Sequence, residues 1–242
     1  MDSATARRLV ELNREFYQTF ADEFSATRQR IQPGVRHVLA GVQGTEHLLD
    51  LGCGNGETAR ALAAAEFKGS YLGLDFSPAL LAIAQQGLET ARYRFAAADL
   101  TQTGRWTAAM GSQEQFDTVL CFATLHHIPA KQARLELVKA VYGLLKPGGR
   151  FIHSHWQFLN SEKLKARIQP WESAAIPESA VEAGDYLLDW RGSQGHGLRY
   201  VHHASEEELL ELAAGGDFEV IETFYADGQG GRLGLYQVWR RI

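Results

Sequence analysis

Residues 47–60, HLLDLGCGNGETAR, decide the fold of this chain. The apolar start, residues 48–51, predicts a short parallel strand that is buried on both faces. The glycine-rich loop 52–56 then breaks the strand, and an alanine-rich helix is predicted over residues 57–65. Glycines let the backbone turn sharply and let a ligand approach, and the first N–H groups of a helix attract an electronegative group. A strand, a glycine turn and a helix in this order predict a nucleotide-binding corner.

The glycine spacing separates two kinds of nucleotide site. Dinucleotide-binding folds carry G-x-G-x-x-G, whereas this loop is G-x-G-x-G, and Asp50 stands two positions before its first glycine. A carboxylate there would repel a pyrophosphate, but it suits a positively charged ligand such as the amino group or sulfonium of S-adenosylmethionine. The alternative is an ordinary glycine-rich turn in an α/β protein.

Residues 50–56, DLGCGNG, resemble the first motif of class I S-adenosylmethionine-dependent methyltransferases, in particular the type 11-like group. The resemblance implies an α/β fold with a Rossmann-like, doubly wound, seven-stranded sheet whose C-terminal strand is reversed. It also implies an N-terminal helical lid, an insertion after strand five, and S-adenosyl-L-methionine as the cofactor.

The length of 242 residues predicts a single domain with one full core. We divide it into an N-terminal helical lid (1–45), a cofactor-binding core (46–156), an acceptor-side insertion (157–204), and a final helix with a C-terminal hairpin (205–242). Residues 3–30 predict one long amphipathic helix, and the insertion shows no strand pattern. Residues 218–225 and 233–239 predict an antiparallel hairpin.

The composition is typical of a globular domain, with 45% hydrophobic and 22% charged residues. No apolar run is long enough to span a membrane, and the first residues lack a signal-peptide core. Cys53 and Cys121 lie in apolar segments, so we expect reduced thiols, a cytoplasmic protein and no metal. The net charge of −5 argues against a large nucleic-acid-binding surface.

Three acids, Asp50, Asp75 and Asp99, follow or end three successive predicted strands. The carboxyl ends of parallel strands meet at one edge of a sheet, where ligands of α/β folds bind. Asp75 is placed to accept both ribose hydroxyls, and Phe76 to cover the adenine, while the resemblance assigns Asp99 to the adenine amino group. The residues expected to contact the cofactor are Tyr17, Asp50, Gly52, Gly54, Asn55, Gly56, Asp75, Phe76, Asp99, Leu100, Cys121 and Phe122.

The turn at residues 123–127 follows the fourth predicted strand and is expected to face the methyl group. It contains His126 and His127, which are not expected to bind a metal because adjacent residues on a turn diverge and no third ligand is near in sequence. We expect one of them to be structural and His126 to orient the acceptor.

A closer resemblance links the chain to the wobble-uridine tRNA carboxymethyl methyltransferases. It rests on residues 24–33 (FSATRQRIQP), 184–190 (GDYLLDW) and 199–202 (RYVH), although Gln32, Asp189 and Val201 depart from the family pattern. This resemblance implies a tRNA acceptor, a small activating subunit, and acceptor-side roles for Arg28, Asp185, Trp190, Arg199 and His202.

Two kinds of acceptor chemistry stay open. A carboxylate is already ionised and needs only a cation to hold it, for which Arg28 on the lid is the candidate through a bidentate pair. A neutral hydroxyl or amine of a small molecule would need a base such as His126. The candidate catalytic residues are therefore Arg28, His126 and Asp185, and Trp190, Arg199 and His202 are candidate substrate contacts. A nicotinamide-dependent oxidoreductase and a non-catalytic methyltransferase-like binding module are the competing classes.

Overall fold

The elements of the fold are taken from a computed structural model, which describes residues 1–26, 30–88, 90–110, 114–192 and 195–242. Its α-helices are α1 (Ser3–Thr19), α2 (Ala21–Ala26), α3 (Pro33–Ala40), α4 (Glu57–Ala64), α5 (Pro78–Gln85), α6 (Thr103–Met110), α7 (Lys131–Leu144), α8 (Glu162–Lys165) and α9 (Glu206–Gly215). Its strands are β1 (His47–Leu51), β2 (Ser70–Asp75), β3 (Tyr93–Ala97), β4 (Phe116–Phe122), β5 (Leu145–Trp156), β6 (Ile168–Gln169), β7 (Asp185–Gly192), β8 (Gly195–His202), β9 (Phe218–Ala226) and β10 (Gly234–Arg241). Arg28, the predicted carboxylate partner, lies outside the described residues.

Seven strands form the central sheet in the order β3-β2-β1-β4-β5-β10-β9. Strand β10 is antiparallel to β5 and to β9, whereas β1, β2, β3, β4 and β5 pair in parallel. The predicted seven-stranded α/β fold with a reversed final strand is confirmed. The strand order reverses between β1 and β4, and ligands of open α/β sheets bind above the carboxyl ends of the strands at such a point.

The central strand β1 is buried on both faces, as its apolar sequence predicts. Leu48, Leu49 and Leu51 are all 0% exposed. Leu48 packs in a cluster with Leu81 of α5, whereas Leu49 and Leu51 pack in the cluster that contains Val138 of α7. Burial of each of these leucines stabilises the fold by roughly 2 kcal/mol, so the loop that follows β1 starts from a rigid base.

The N-terminal segment is two helices rather than the predicted single one, because α1 ends at Thr19 and α2 begins at Ala21, after the C-cap residue Phe20. Helix α1 is fixed to β8 of the insertion by Asn13, whose side chain donates to the Tyr200 carbonyl at 3.1 Å and accepts from the Tyr200 N–H at 2.8 Å. Leu9 packs beside Tyr200 in the same region. The lid therefore rests on the insertion.

The insertion contains a three-stranded antiparallel sheet, β6-β7-β8, which the sequence did not predict. The last four residues of β8 are all buried, so its sequence lacks the alternation that identifies a half-buried strand. Gly197 of β8 also breaks the pattern, and a Cβ there would lie 2.5 Å from the Phe20 ring. This glycine lets the end of α1 approach the strand closely.

The state of the two cysteines and the length of the apolar helices were both predicted from the sequence. Cys53 and Cys121 are buried free thiols, and burial raises the pKa of both. Among the helices that the structure describes, none is long and apolar enough to cross a membrane.

Candidate active site

A cavity of about 470 Å³ lies above the carboxyl ends of the central strands. Ten of the twelve predicted cofactor contacts line it, namely Tyr17, Asp50, Gly52, Gly54, Asn55, Asp75, Phe76, Asp99, Leu100 and Phe122. Gly56 and Cys121 are the two others, and neither is part of the described lining. Direct contact of the cofactor with these two residues stays a prediction.

The glycine loop between β1 and α4 has the conformation that only glycine adopts readily. Gly52 has φ +80°, and a Cβ at this position would lie 2.1 Å from the Thr124 hydroxyl oxygen. Gly56 has φ +84° immediately before α4, and its Cβ would lie 2.9 Å from that of Ala84. Gly56 therefore serves the turn and the packing of α4 instead of lining the cavity.

Asp75 at the end of β2 is oriented by two backbone donors. Its carboxylate accepts from the N–H of Gly54 at 2.9 Å and from the N–H of Ser77 at 2.9 Å. Burial raises the pKa of Asp75, while these hydrogen bonds oppose the rise. The backbone N–H of Phe76 also lowers the pKa of Asp75, and the carboxylate, with about four lone-pair positions, can still accept from a ribose hydroxyl.

Asp50 is a buried acid of the cavity whose pKa is strongly raised. It is 2% exposed, and it accepts a hydrogen bond from the Tyr71 hydroxyl at 2.7 Å. Burial, with a smaller contribution from the charge of Asp75, raises the pKa of Asp50 to about 7, although the Tyr71 hydrogen bond opposes this. A cation placed beside Asp50 would favour its ionised form, as expected for a site that binds a positive ligand.

Asp99 is already fully hydrogen-bonded by the protein. One oxygen accepts from the backbone and hydroxyl of Thr101, and the other accepts from Gln102 at 2.8 Å and from Arg14 of α1 at 3.0 Å. Burial alone would raise the pKa of Asp99, but these hydrogen bonds lower it. A carboxylate offers about four lone-pair positions, so the predicted contact with an adenine amino group requires that Arg14 or Gln102 move.

The lid contacts the cavity through Tyr17. The Nδ1 of His127 lies 3.0 Å from the Tyr200 carbonyl, which only accepts, so Nδ1 carries the proton. The Nε2 of His127 therefore accepts from the Tyr17 hydroxyl at 2.9 Å. On the same lid, Ser25 of α2 accepts a hydrogen bond from Asn55 of the glycine loop at 3.0 Å. These hydrogen bonds favour His127 as the structural member of the histidine pair, although His127 also lines the cavity.

His126 lines the cavity and is 2% exposed. Its Nδ1 accepts from the backbone N–H of Trp156 at 3.3 Å. In the neutral ring the other nitrogen, Nε2, then carries the proton and acts as a donor. This arrangement favours a role in holding an acceptor oxygen over a role as a base.

Arg199 of β8 brings a buried positive charge to the cavity. It is 5% exposed, and its guanidinium lies 4.6 Å from the ring centroid of Trp156 and 5.4 Å from that of Phe16. Trp190 is 5.7 Å from the same guanidinium but is not among the described lining residues. Arg199 is therefore the predicted substrate residue that the structure brings to the cavity, with Trp190 packed behind it.

Asp185 and His202 lie in a buried polar network rather than in the described cavity lining. Asp185 accepts from His202 at 2.7 Å and from the Tyr200 hydroxyl at 2.8 Å, and the second nitrogen of His202 lies 2.7 Å from Glu208 of α9. Burial lowers the pKa of His202, but its two carboxylate partners outweigh this and raise it. Buried Arg134 also bonds to Glu208, at 3.0 Å. The geometry gives Asp185 and His202 a role in joining β7, β8 and α9, which argues against the direct contact with a substrate that the sequence suggested.

Some cavity residues were not predicted from the sequence. They are Arg14, Ser154, His155, Trp156, Asp227 and Tyr236. Asp227 and Tyr236 belong to the C-terminal hairpin, which the reversed strand β10 brings beside β5. No local sequence motif identifies these two residues. They could have been found only from the topology, because a reversed final strand begins beside the carboxyl ends of the parallel strands, where ligands bind. Among the described residues, no group of three His, Cys, Asp or Glu side chains could hold a metal ion.

A family model and curated proteins with similar sequences indicate a methyltransferase site. Residues 49–151 match the family model described as a methyltransferase domain. A protein of Encephalitozoon cuniculi named as a methyltransferase is 28% identical over 208 residues, which cover 86% of this chain and 87% of that protein. The trans-aconitate 2-methyltransferase of Delftia acidovorans is 30% identical over 177 residues, which cover 73% of this chain but only 60% of that enzyme.

Solved structures share the fold of the whole chain. A chain from the Haloferax volcanii complex between the Trm112 methyltransferase activator and a methyltransferase has a TM-score of 0.66 at 18% identity, with 93% of this chain and 95% of that chain covered. An amino pentose methyltransferase from Micromonospora echinaspora, solved with bound S-adenosylmethionine, has a TM-score of 0.61 at 19% identity, with 91% and 96% covered.

Proposed function

Because this chain is an S-adenosylmethionine-dependent methyltransferase, we propose that it transfers the methyl group to a carboxylate oxygen of its acceptor. The observation that carries the proposal is the buried cation Arg199 in the lining of the cavity. A guanidinium in the wall of a ligand cavity presents charged donors in a planar fork, and this geometry matches the two oxygens of a carboxylate.

The acids of the cavity suit the cofactor. In this proposal Asp75 holds the ribose hydroxyls, Asp50 faces the cationic end, and Asp99 meets the adenine once Arg14 moves. Phe76 supports the adenine ring, and its contact with Tyr17, 5.8 Å between ring centroids, ties that support to the lid. When bound, the cofactor supplies an electrophilic methyl group, and the protein contributes orientation and a site from which water is excluded.

Two donors of the cavity are suited to a carboxylate. Arg199 carries charged donors, His126 lines the same cavity, and both side chains contact Trp156. An ionised carboxylate needs no base, so the absence of a ready proton acceptor on His126 is consistent with this chemistry. The trans-aconitate 2-methyltransferase, whose named substrate is a tricarboxylate, lends support from sequence similarity.

The test uses tritiated S-adenosylmethionine with a panel of di- and tricarboxylates, carboxymethylated nucleosides and neutral amines. A methyl ester is cleaved by mild alkali and releases the label as volatile methanol, whereas methyl ethers and methylamines keep it. We expect alkali-labile product, and Arg199→Gln should lower kcat/KM for the acceptor by about 100-fold, the loss expected when a buried charged contact is truncated. Cofactor affinity should stay within about threefold, since in this proposal Arg199 holds the acceptor and not the cofactor.

Arg241→Gln is the matched control. Its guanidinium also lies over an aromatic ring, 4.6 Å from the centroid of Tyr142, but it belongs to the far end of β10. Normal turnover by Arg199→Gln, or alkali-stable product alone from the wild type, would refute the proposal.

A narrower form of the proposal takes a carboxylate on a modified tRNA nucleoside as the acceptor, with a small activating subunit and a cytoplasmic location. The motifs shared with the wobble-uridine enzymes favour it, as does the fold shared with a chain of the Trm112 complex. Arg28 would be the second cation of this form. Transfer of label to bulk tRNA, increased by an added activator of that type and abolished by Arg28→Ala without loss of cofactor binding, is the expected result.

A further inference from the structure

Asp227 is a charged residue of the cavity to which the proposed binding of the cofactor and of the carboxylate assigns no role. Asp227 lies in the turn between β9 and β10 and lines the cavity. One of its oxygens accepts from the N–H of Gly34 at 2.9 Å, and the other accepts from the Tyr236 hydroxyl at 2.6 Å. Two elements besides its own turn, α3 and β10, therefore fix the orientation of this carboxylate.

The backbone around Asp227 leaves no room for other side chains. A Cβ on Gly34 would lie 2.3 Å from the Tyr236 ring, and a Cβ on Gly234 would lie 2.7 Å from Oδ2 of Asp227. Asp227 itself has φ +69°, a left-handed conformation that costs an L-residue of this type a small strain. Two glycines and a strained aspartate thus place one carboxylate at the wall of the cavity.

The charge of Asp227 has no cation partner within the described part of the chain, whereas Asp99 of the same cavity pairs with Arg14. A carboxylate accepts about four hydrogen bonds, and the protein supplies two to Asp227. A partly buried anion with unused acceptor positions is stabilised by a ligand that carries a donor.

We propose that Asp227 accepts a hydrogen bond from a hydroxyl or ammonium group of the acceptor. The inference rests on the proposed function and narrows it, because the acceptor is then a hydroxy or amino carboxylic acid with its carboxylate at Arg199 and its donor group at Asp227. Asp227 contacts the substrate without taking a proton from it. The Tyr236 hydroxyl and the Gly34 N–H both donate to the carboxylate of Asp227, so its orientation does not depend on Tyr236 alone.

The test measures methyl transfer to matched acids: succinate, its hydroxy form malate and its amino form aspartate. For the wild type we expect kcat/KM to be about tenfold higher for at least one donor-bearing acid than for succinate, the lower range for a hydrogen bond to a charged group. Asp227→Asn should reduce this ratio to about one. The ratio compares two acids on the same enzyme, so a partly folded variant still gives a valid result.

Tyr236→Phe removes the hydroxyl while it keeps the carboxylate of Asp227, and it should retain most of the preference for the donor-bearing acid. If Asp227 only positioned Tyr236, the two variants would lose the preference equally, and that outcome would overturn the inference. A wild type that methylates succinate as well as the other two acids would also overturn it while leaving carboxylate methylation intact. No transfer to any of the three acids, with no rise in melting temperature when each is added to the complex with S-adenosylhomocysteine, would count against both.

Discussion

Asp50, a predicted cofactor contact, should make cofactor binding depend on pH. Its pKa in the free protein is about 7, because it is buried and lies near Asp75. A cationic ligand binds the ionised form, so below pH 7 binding must first remove a proton. Well below pH 7 each pH unit costs about 1.4 kcal/mol, so the dissociation constant should rise about fivefold between pH 7 and pH 6 and about tenfold between pH 6 and pH 5.

Isothermal titration with S-adenosylmethionine, in two buffers of different ionisation enthalpy, measures both the affinity and the protons released. We expect close to one proton released per cofactor at pH 6 and a flat affinity above pH 8. Asp50→Asn should bind weakly at every pH and lose this dependence. Tyr71→Phe removes the hydrogen bond that lowers the pKa of Asp50, so its midpoint should move to higher pH.

The same shift predicts an effect on the protein without cofactor. The folded-state pKa of Asp50, about 7, exceeds the ordinary value of 3.8, so the folded state binds the proton more tightly. The stability contributed by this group is present below pH 4 and is lost as the pH rises through 7, by at most about 4 kcal/mol. Asp50→Asn should therefore be more stable than the wild type at pH 8, by urea denaturation. A flat affinity from pH 5.5 to pH 7.5, or an Asp50→Asn variant no more stable than the wild type, would refute the reasoning.

Three other substitutions test the surrounding structure. Gly52→Ala should lower the free energy of unfolding by about 2–4 kcal/mol, because the new Cβ would clash with Thr124 and because alanine is strained at a positive φ. A loss of less than about 1 kcal/mol, measured by urea denaturation, would contradict this prediction. The pKa of His202 is raised above 6.5, so its contribution to stability is present below that pH and is lost as the pH rises through the folded-state pKa. His202→Gln should flatten the stability profile above pH 6.5, and an unchanged slope would be evidence against the charged network. Tyr17→Phe removes the hydrogen bond to His127 and should speed cofactor release about fivefold in stopped-flow measurements, with an unchanged rate as the contrary result.

The cofactor half of the site could be predicted from the sequence because each of its parts is local. The apolar strand, the glycine turn and Asp50 lie within a few residues of one another, and parallel strands bring their carboxyl ends to one edge. Asp75 and Asp99 therefore take their places in the cavity once the strands are identified. The glycine at position 52 also indicates a positive φ, because glycine adopts this backbone conformation more readily than other residues.

The acceptor half was decided by the tertiary structure. Arg199, Asp227 and His126 come from an unpredicted strand, a hairpin turn and a loop after β4, and only the packed sheet brings them to one cavity. Asp185 and His202 belong to sequence motifs that suggested substrate contacts. In the structure their side chains hydrogen-bond to each other in a buried network. A side chain's partners depend on distances between segments far apart in the chain, and no local pattern encodes them. The sequence by itself therefore determined the fold and the cofactor, whereas the folded structure decided which charged side chains line the cavity.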